Sequence, residues 1–296
     1  MTIAALVLGF REPVVLAAAV PLYKKAGFDV YVHVDAKIAI ADYAAAMGDA
    51  AKDCIFIEKR LSIFWAGFSM IEATLELMRQ AIAVGYENYV LVSDDSFPIR
   101  TPHVLRAKIS TDHQRISARA VQSSEIFADR YRNFYSFDHV VTSLHGRPIE
   151  NASFDDTLIE RVERLARRRR LGKADLKLHY GSQWWSLTRE AVALILEIDR
   201  DRIDVRESFE FSAVPDESYV QSILMNFYPE MKRVQSPMLV DWTRQPRPYV
   251  FQSLEDVKSR VGEDHCFVRK ITARHQELLL DLIRFLDTGE RRESAA

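Results

Sequence analysis

The chain has 296 residues, of which 48% are hydrophobic, enough to bury a large core. Its 40 Lys and Arg residues nearly balance 42 Asp and Glu residues, and a formal net charge of -2 lacks the basic excess of a general nucleic-acid binder. No linker rich in Pro, Gly or Ser divides the chain, so we expect one domain over residues 1–288 and a polar tail over residues 289–296.

Cysteine usage and the first residues favour a cytoplasmic location. The two cysteines, Cys54 and Cys266, are expected to be free thiols in a reducing compartment. The apolar run 3–8 has no basic residues before it and no small-residue cleavage site after it, unlike a signal peptide. No stretch reaches the about 18 uncharged apolar residues of a membrane span. We therefore expect at most peripheral association with a membrane.

The first hundred residues predict strands that alternate with helices. Four apolar runs predict strands, namely residues 3–8, 30–34, 54–57 and 89–92. Three helices are predicted around them, over residues 12–25, 41–51 and 69–84. This alternation implies an α/β fold whose mostly parallel, Rossmann-like central sheet is flanked by helices.

Acidic residues follow two of the predicted strands. Asp35 ends the second strand, and Ser93, Asp94 and Asp95 follow the fourth. Ligands of parallel sheets bind beyond the carboxyl ends of the strands, so a nucleotide is expected there. The two adjacent acids admit three interpretations: ligands of Mg²⁺ or Mn²⁺, acceptors of hydrogen bonds from a ribose or uracil, or a turn and helix cap before Pro98.

The second half is less regular. Helices are predicted over residues 156–170, 187–198, 217–226 and 275–286. Four arginines, Arg167 to Arg170, close the first of these helices, and they indicate either a charged surface or weak attraction to an anionic bilayer. The chain has no phosphate-binding glycine loop, no zinc spacing of Cys and His, and no nucleophile elbow, which removes the commonest enzymes on α/β sheets.

Two further segments are candidates for binding or catalysis. The adjacent Trp184 and Trp185 would point to opposite faces of a strand, so one could enter the core while the other stacks on a sugar ring; alternatively, both are core residues. Asp216 and Glu217 precede an apolar helix. They either favour the positive end of the helix dipole or include a general base.

Six short motifs together resemble the core-2/I-branching β-1,6-N-acetylglucosaminyltransferase and peptide O-xylosyltransferase family, glycosyltransferase family 14. The resemblance runs from about Tyr31 to Lys270. In chain order the motifs are Val32-His33-Val34-Asp35, Trp65-Ala66-Gly67-Phe68-Ser69, Ser93-Asp94-Asp95-Ser96-Phe97-Pro98-Ile99-Arg100-Thr101, Gly181-Ser182-Gln183-Trp184, Pro215-Asp216-Glu217 and Phe267-Val268-Arg269-Lys270.

The resemblance implies a GT-A-type fold and a transferase that inverts the anomeric carbon without a metal or other cofactor. The Glu of the Pro-Asp-Glu motif, Glu217, would be the catalytic base. Lys270, and Arg247 by its spacing, would neutralise the donor diphosphate. The remaining motif residues fall into two expected groups: donor contacts by His33, Asp35, Asp94 and Asp95, and sugar or acceptor contacts by Ser182, Trp184, Trp185 and Asp216.

The chain also departs from this family. Many members have Asp where this chain has Ser96, and the animal members carry many cysteines and a membrane anchor. These differences resemble a bacterial form that acts at the cytoplasmic side of the inner membrane. The implied partners are a UDP-sugar donor, with N-acetylglucosamine first and xylose second, and a surface polysaccharide or lipid-linked glycan acceptor. The competing hypotheses are a metal-dependent transferase that uses Asp94 and Asp95, and a non-catalytic sugar-binding protein.

Overall fold

A computed structural model describes residues 2–132, 135 and 174–294 of the chain. The predicted helix 156–170 and its four arginines lie outside the described residues. Within them the chain forms strands and helices in the alternating order expected for an α/β protein.

The described strands are β1 (Ile3–Gly9), β2 (Phe28–Val34), β3 (Cys54–Phe56), β4 (Asn88–Ser93), β5 (Phe97–Pro98), β6 (Gln114–Arg115), β7 (Arg119–Ala120), β8 (His179–Tyr180), β9 (Ser186–Thr188), β10 (Arg233–Val234), β11 (Met238–Val240) and β12 (Phe267–Arg269). The described α-helices are α1 (Pro13–Lys25), α2 (Ile40–Met47), α3 (Ser69–Ile82), α4 (Pro102–Ile109), α5 (Ile126–Arg132), α6 (Arg189–Asp201), α7 (Ile203–Glu210), α8 (Tyr219–Phe227), α9 (Leu254–Lys258) and α10 (Gln276–Ser294).

The largest sheet has seven strands in the order β10-β6-β9-β4-β1-β2-β3. Every neighbouring pair is parallel except those of β9, which runs antiparallel to both β4 and β6. The predicted α/β fold with a mostly parallel sheet is therefore confirmed. The chain moves outward from β1 to β3 and then returns to β4 on the other side of β1, so the strand order reverses between β1 and β4.

The central strands form because their side chains are apolar on both faces. All seven residues of β1 and all six of β4 are buried. Helix α1 starts with Pro13, whose missing N–H costs nothing in the first turn. Helix α3 buries most of its apolar stripe and packs on β1 and β2.

Three of the differences between the predicted and observed helix boundaries have a cause in the local sequence. The helix predicted over 41–51 ends at Met47, because Gly48 adopts a φ of 60° and a 3₁₀ turn follows. The helix predicted over 187–198 begins only at Arg189, after β9, because the Thr188 side chain accepts a hydrogen bond from the Ala191 N–H and caps the first turn.

The third difference concerns the end of the chain. The helix predicted to end at residue 286 continues to Ser294 as part of α10. It extends into the segment expected to be a polar tail, because the sequence after Leu286 contains no proline to stop it.

Two small sheets bring distant segments together. In one, β12 pairs antiparallel with β5 and parallel with β11, which places the C-terminal segment beside the loop after β4. In the other, β8 pairs antiparallel with β7. Both sheets thus deliver residues from the second half of the chain to the carboxyl edge of the central sheet.

Cys54 and Cys266 are not joined in a disulfide. None of the helices formed by the described residues has the length and apolar character needed to cross a membrane.

Candidate active site

A cleft of about 2210 Å³ opens beyond the carboxyl ends of β1, β2 and β4. The loop after β1 lines one wall with Phe10 and Arg11, and the loop after β4 contributes Asp94 and Asp95. These two strands flank the point where the strand order reverses, which is where α/β sheets offer a crevice to ligands. The volume exceeds the roughly 300–1,000 Å³ of a pocket for one small molecule.

Asp94 holds the loop after β1. Its Oδ2 atom accepts hydrogen bonds from the backbone N–H groups of Phe10 (2.6 Å) and Glu12 (3.0 Å), and from the Tyr43 hydroxyl (3.0 Å). Burial and the neighbouring Asp95 raise the pKa of Asp94 to about 6, against the effect of the three donors. Asp94 therefore shapes the wall of the cleft.

Asp95 is paired with two cations from the C-terminal segment. The guanidinium of Arg269 donates to Oδ1 from Nε and to Oδ2 from a terminal nitrogen, both at 3.1 Å, and Lys270 Nζ lies 3.8 Å from Oδ2. Burial opposes ionisation of Asp95, but Arg269 and Lys270 outweigh it and lower its pKa. This pairing anchors the ends of β4 and β12 to each other.

Lys270 itself lines the cleft, where burial lowers its pKa and Asp95 opposes that shift. Arg247 also lines the cleft and is exposed to solvent. The structure adds four exposed arginines that the sequence did not point to, Arg11, Arg119, Arg233 and Arg274. None of them belongs to one of the six motifs, so only the folded arrangement reveals them.

His33 lies within β2 and Asp35 directly follows that strand, and their side chains have different surroundings. Asp35 lines the cleft and is bound by Lys37, whose backbone N–H lies 2.9 Å from Oδ1 and whose Nζ lies 2.8 Å from Oδ2. His33 is fully buried, and its Nε2 accepts a hydrogen bond from the Leu61 N–H at 2.9 Å. The predicted contact between His33 and a sugar-nucleotide donor does not fit this placement. The His33 side chain is buried and supports the loop around Leu61 instead.

Glu217 faces the same cleft at the end of a 3₁₀ turn formed by Pro215–Glu217. Its Oε2 atom accepts a hydrogen bond from Arg130 at 3.1 Å, and the Tyr180 hydroxyl also donates to its carboxylate. Burial raises the pKa of Glu217, while Arg130 and Tyr180 oppose the rise. A carboxylate with a raised pKa at the wall of a cleft suits a general base.

Asp216 lines the cleft next to Glu217 and has a different environment. Its Oδ1 atom is buried and has no hydrogen-bond partner among the described residues. Burial, followed by the charge of Glu217, raises the pKa of Asp216 to about 7. Arg269 lies near enough to oppose this shift, so it connects the Glu217 side of the cleft with Asp95 and Lys270.

Backbone conformation holds the turn that bears these two acids. Val214 has a φ of 53° directly before Pro215, and its N–H donates to the carbonyl of Ala66 at 2.9 Å. Ala66 has a φ of 68°, so two non-glycine residues in the left-handed region face each other. For residues other than glycine, such backbone conformations are unfavourable in free energy, and they occur most often at functional sites. Ala66 in turn follows Trp65, which lines the cleft.

The Gly181-Ser182 motif supports the same turn from the other side. The Gly181 N–H donates to the Glu217 carbonyl at 2.8 Å, and a Cβ atom at Gly181 would lie 1.7 Å from the Ser117 carbonyl oxygen. Glycine is therefore required for this close approach. Ser182 lines the cleft, and its hydroxyl accepts a hydrogen bond from the Trp184 N–H at 3.3 Å.

Both adjacent tryptophans are buried and belong to the hydrophobic core, as the second of the two interpretations expected. Trp185 is 1% exposed and belongs to the core, so the sugar contact predicted for it does not fit its placement. Trp184 is 6% exposed, lines the cleft, and lies beneath Arg269 with the guanidinium carbon 4.6 Å from the ring centre.

Two other tryptophans are the exposed aromatic residues of the cleft. Trp65 and Trp242 both line it, and each is 54% exposed. A large indole that is left in solvent at a cleft is suited to stacking on a ligand. In the sequence, Trp65 is part of one of the six motifs, whereas Trp242 lies outside them. The position of Trp242 between the polar residues Asp241 and Thr243 is the feature of the sequence that could have indicated its exposure.

The described residues contain no group of three or more His, Cys, Asp or Glu side chains placed to hold a metal ion. Asp94 and Asp95 are adjacent at the cleft, where Asp94 Oδ2 and both carboxylate oxygens of Asp95 already accept hydrogen bonds.

When the chain is compared with models of known protein families, one family matches. The model of a family described as Core-2/I-Branching enzyme matches residues 16–261. No curated protein matches the chain.

Solved structures resemble the chain only distantly. A structure described as a putative glucose-1-phosphate thymidylyltransferase from Bacillus anthracis is 10% identical, with 70% of this chain and 85% of that chain covered and a TM-score of 0.31. Mannose-1-phosphate geranyltransferase from Thermus thermophilus is 12% identical, with 79% and 69% covered and a TM-score of 0.31. At this level of similarity, neither structure bears on the activity of this chain.

Proposed function

Because the chain belongs to the Core-2/I-branching enzyme family, a family of glycosyltransferases, we propose that it transfers a sugar from a UDP-sugar to a hydroxyl of a glycan acceptor. The transfer inverts the anomeric carbon and needs no metal ion. N-acetylglucosamine is the first choice of donor sugar and xylose the second. The acceptor class is a surface polysaccharide or lipid-linked glycan.

The observation that supports this proposal most directly is the shared cleft. Glu217 and Lys270 are 53 residues apart in sequence, as their numbers give, yet both line it, together with Arg247. A base for the acceptor and cations for the leaving group must reach one sugar nucleotide from different sides. The cleft supplies both kinds of group within one space.

The reaction follows from these groups. Glu217 accepts the proton of the acceptor hydroxyl as its oxygen bonds to the anomeric carbon. The bond between that carbon and the diphosphate breaks from the opposite face, and its electron pair leaves with UDP. Lys270 and Arg247 neutralise the charge that develops on the diphosphate. One base and direct displacement produce inversion.

Two features support a metal-independent mechanism. Asp94 is engaged by three hydrogen-bond donors, and Asp95 is engaged by Arg269 and Lys270. A metal bound by Asp94 Oδ2 or by Asp95 would have to replace those contacts. The cations that pair with Asp95 also provide positive charge beside the expected diphosphate without a metal.

The exposed Trp65 and Trp242 support a carbohydrate acceptor, because the apolar C–H face of a sugar ring packs on an indole. The cleft has room for an acceptor in addition to the nucleotide sugar.

The proposal is tested by transfer assays with a panel of UDP-sugars on the wild type and on Glu217→Gln. We expect UDP release from UDP-N-acetylglucosamine or UDP-xylose by the wild type, and a loss of roughly 10²-fold or more in Glu217→Gln with UDP binding retained. Glu58→Gln, a change in a segment that does not line the cleft, is the matched control and should leave turnover unchanged.

Three outcomes would contradict parts of the proposal. Wild-type turnover by Glu217→Gln would remove its role as the base. Strict dependence on Mn²⁺ would favour the metal-dependent hypothesis with Asp94 and Asp95. Failure to release UDP from any sugar nucleotide, with retained sugar binding, would favour a non-catalytic sugar-binding protein.

A further inference from the structure

Arg130 contacts the Glu217 turn through both its side chain and its backbone. It lies on α5, and its guanidinium donates to Glu217 Oε2 at 3.1 Å. Its carbonyl accepts a hydrogen bond from the Ala213 N–H at 2.9 Å, immediately before the left-handed Val214. Helix α5 is therefore attached at two points to the segment that presents Glu217.

Aromatic rings fix the direction of the Arg130 side chain. Its guanidinium carbon lies 4.8 Å from the centre of the Phe127 ring, and that ring lies 3.9 Å from the Tyr180 ring. The Tyr180 hydroxyl donates to the same Glu217 carboxylate. Arg130 and Tyr180 thus reach Glu217 from α5 and β8 while both pack on one aromatic residue.

The other nearby cation is directed elsewhere. Arg119 also lies over Phe127 and Tyr180, at 5.2 and 5.4 Å, but its guanidinium pairs with Glu125 at 2.8 Å. The charge of Arg119 is therefore balanced locally, and the charge of Arg130 acts on Glu217.

We infer that Arg130 is a positioning residue for the reaction, which orients the Glu217 carboxylate and keeps it ionised until the acceptor binds. This inference rests on the proposed role of Glu217 as the base. Removing Arg130 would leave a base that rotates more freely and is protonated more often.

The charges around Glu217 explain why such a residue is needed. Burial favours the neutral form of Glu217 and raises its pKa, and the adjacent Asp216 is a second acid in its own turn. Tyr180 faces it from β8 as a neutral donor, and Arg130 faces it from α5 as the cation. Without Arg130, burial would favour the protonated, inactive form of Glu217.

The test compares Arg130→Gln, which removes the charge, with Arg130→Lys, which keeps it. For each variant, kcat and KM for UDP-N-acetylglucosamine or UDP-xylose are measured from pH 5 to pH 9 as UDP release. We expect Arg130→Gln to lower kcat about tenfold or more with little change in donor KM. In the plot of kcat against pH, the rise on the acidic side should move to higher pH, because loss of the cation raises the pKa of Glu217. In Arg130→Lys, this rise should return to the wild-type pH, and kcat should recover in part.

Matched controls separate this effect from a loss of folding. Arg200→Gln removes an arginine that is 72% exposed and paired with Asp201 on α6, away from the cleft, and it should leave both kcat and the pH profile unchanged. Melting temperatures of all variants show whether each one is folded under the assay conditions.

Wild-type kcat and an unmoved rise on the acidic side of the plot in Arg130→Gln would overturn the inference. An equal loss of kcat in Arg130→Gln and Arg130→Lys, with this rise unmoved in both, would also overturn it, because the residue would then act only through packing. Failure of the proposed function is distinguishable, since it appears as normal turnover in Glu217→Gln whatever Arg130 does.

Discussion

Four of the carboxyl groups that line the cleft have surroundings that give them different properties. Asp95 is held ionised by Arg269 and Lys270, and Asp94 Oδ2 accepts hydrogen bonds from two backbone N–H groups of the segment after β1. Glu217 is buried but faces Arg130, whereas Asp216 is buried with one oxygen unpartnered among the described residues. Acids whose surroundings separate their pKa values divide into structural and chemical roles. Here Asp94 and Asp95 hold the backbone segments that line the cleft, and Glu217 is the group suited to exchange a proton.

Asp216 should reduce stability at neutral and alkaline pH. Its pKa is raised from 3.8 to about 7 in the folded protein, so between these values the unfolded chain loses the proton first. Ionisation therefore favours unfolding as pH rises through this window, and the penalty is complete above about pH 7. Asp216→Asn removes it, so we expect a higher melting temperature than the wild type at pH 8 and no difference at pH 4, measured by thermal denaturation at constant ionic strength.

Asp49→Asn is the matched control for this prediction, because Asp49 is 95% exposed and pairs with Lys52 in its surface turn. It should change the melting temperature little at either pH. A stabilisation by Asp216→Asn that is equal at pH 4 and pH 8 would show that ionisation is not its cause.

At the scale of elements, the turn before α8 depends on contacts from three sides. The Val214 N–H bonds to Ala66 at the start of the α3 region, Arg130 bonds from α5, and Gly181 bonds to the Glu217 carbonyl from the segment after β8. Each contact comes from a different element, and the turn contains a left-handed valine. The surroundings therefore impose a conformation that the local sequence disfavours.

Val214→Gly should release this backbone strain while loosening the turn. Glycine usually costs about 0.5–1 kcal/mol in the free energy of unfolding, but relief of the left-handed conformation should offset that loss at Val214. We expect a stability close to that of the wild type together with a several-fold lower kcat. Denaturant unfolding and UDP release measure the two effects.

Val84→Gly is the control, because Val84 is exposed after α3 and has no left-handed backbone. It should lose the full glycine penalty in stability and keep wild-type kcat. If Val214→Gly loses as much stability as Val84→Gly or more, the strain at Val214 does not contribute as described.

At the scale of the whole molecule, the cleft combines both ends of the chain. Phe10 and Arg11 come from the loop after β1, and Arg269 and Lys270 come from β12 and its continuation. Glu12 joins these segments, because its carboxylate accepts hydrogen bonds from the Thr272 hydroxyl and the Ala273 N–H. Cations from the two ends thus face the same space, although the chain as a whole has a net charge of -2.

This arrangement predicts UDP binding that depends on the late cations and not on a metal. Lys270→Ala and Arg247→Ala should each weaken UDP binding about tenfold or more, as expected for the loss of a charged hydrogen bond of roughly 1.5–3 kcal/mol. UDP should raise the melting temperature of the wild type by mass action, and a chelator should leave that shift unchanged. Isothermal titration and thermal denaturation measure both effects.

Lys52→Ala removes an exposed lysine outside the cleft lining and serves as the control, with unchanged UDP affinity. Unchanged affinity in both Lys270→Ala and Arg247→Ala would show that the cations are assigned to the wrong residues. A UDP-dependent shift that disappears with chelator would assign the diphosphate to a metal.

Several features of the fold and the site could be predicted from residues alone. Apolar runs identified β1 and most of β2 and β4, because strands that are buried on both faces favour apolar side chains. The acids after β2 and β4 were expected at the ligand edge, and Asp35, Asp94 and Asp95 do line the cleft. The motif order was sufficient to identify the family to which the chain belongs.

Other features could not be predicted because they depend on contacts between distant segments. Nothing local distinguishes Trp185 in the core from the exposed Trp65 and Trp242, since burial depends on what packs against each indole. His33 stood in a motif beside Asp35 but faces the interior, where it bonds to the Leu61 segment 28 residues later in the chain.

The sequence by itself determined the strand and helix alternation, the positions of the acids at strand ends and the family. These depend on patterns within short segments, which the chain carries in any conformation. Only the tertiary structure decided that Asp94 is a structural acceptor, that Asp95 pairs with Arg269 and Lys270, and that Arg130 reaches Glu217. Hydrogen bonds and charge pairs act over a few ångströms, so they exist only after folding brings residues separated by about 80 to 170 positions into contact.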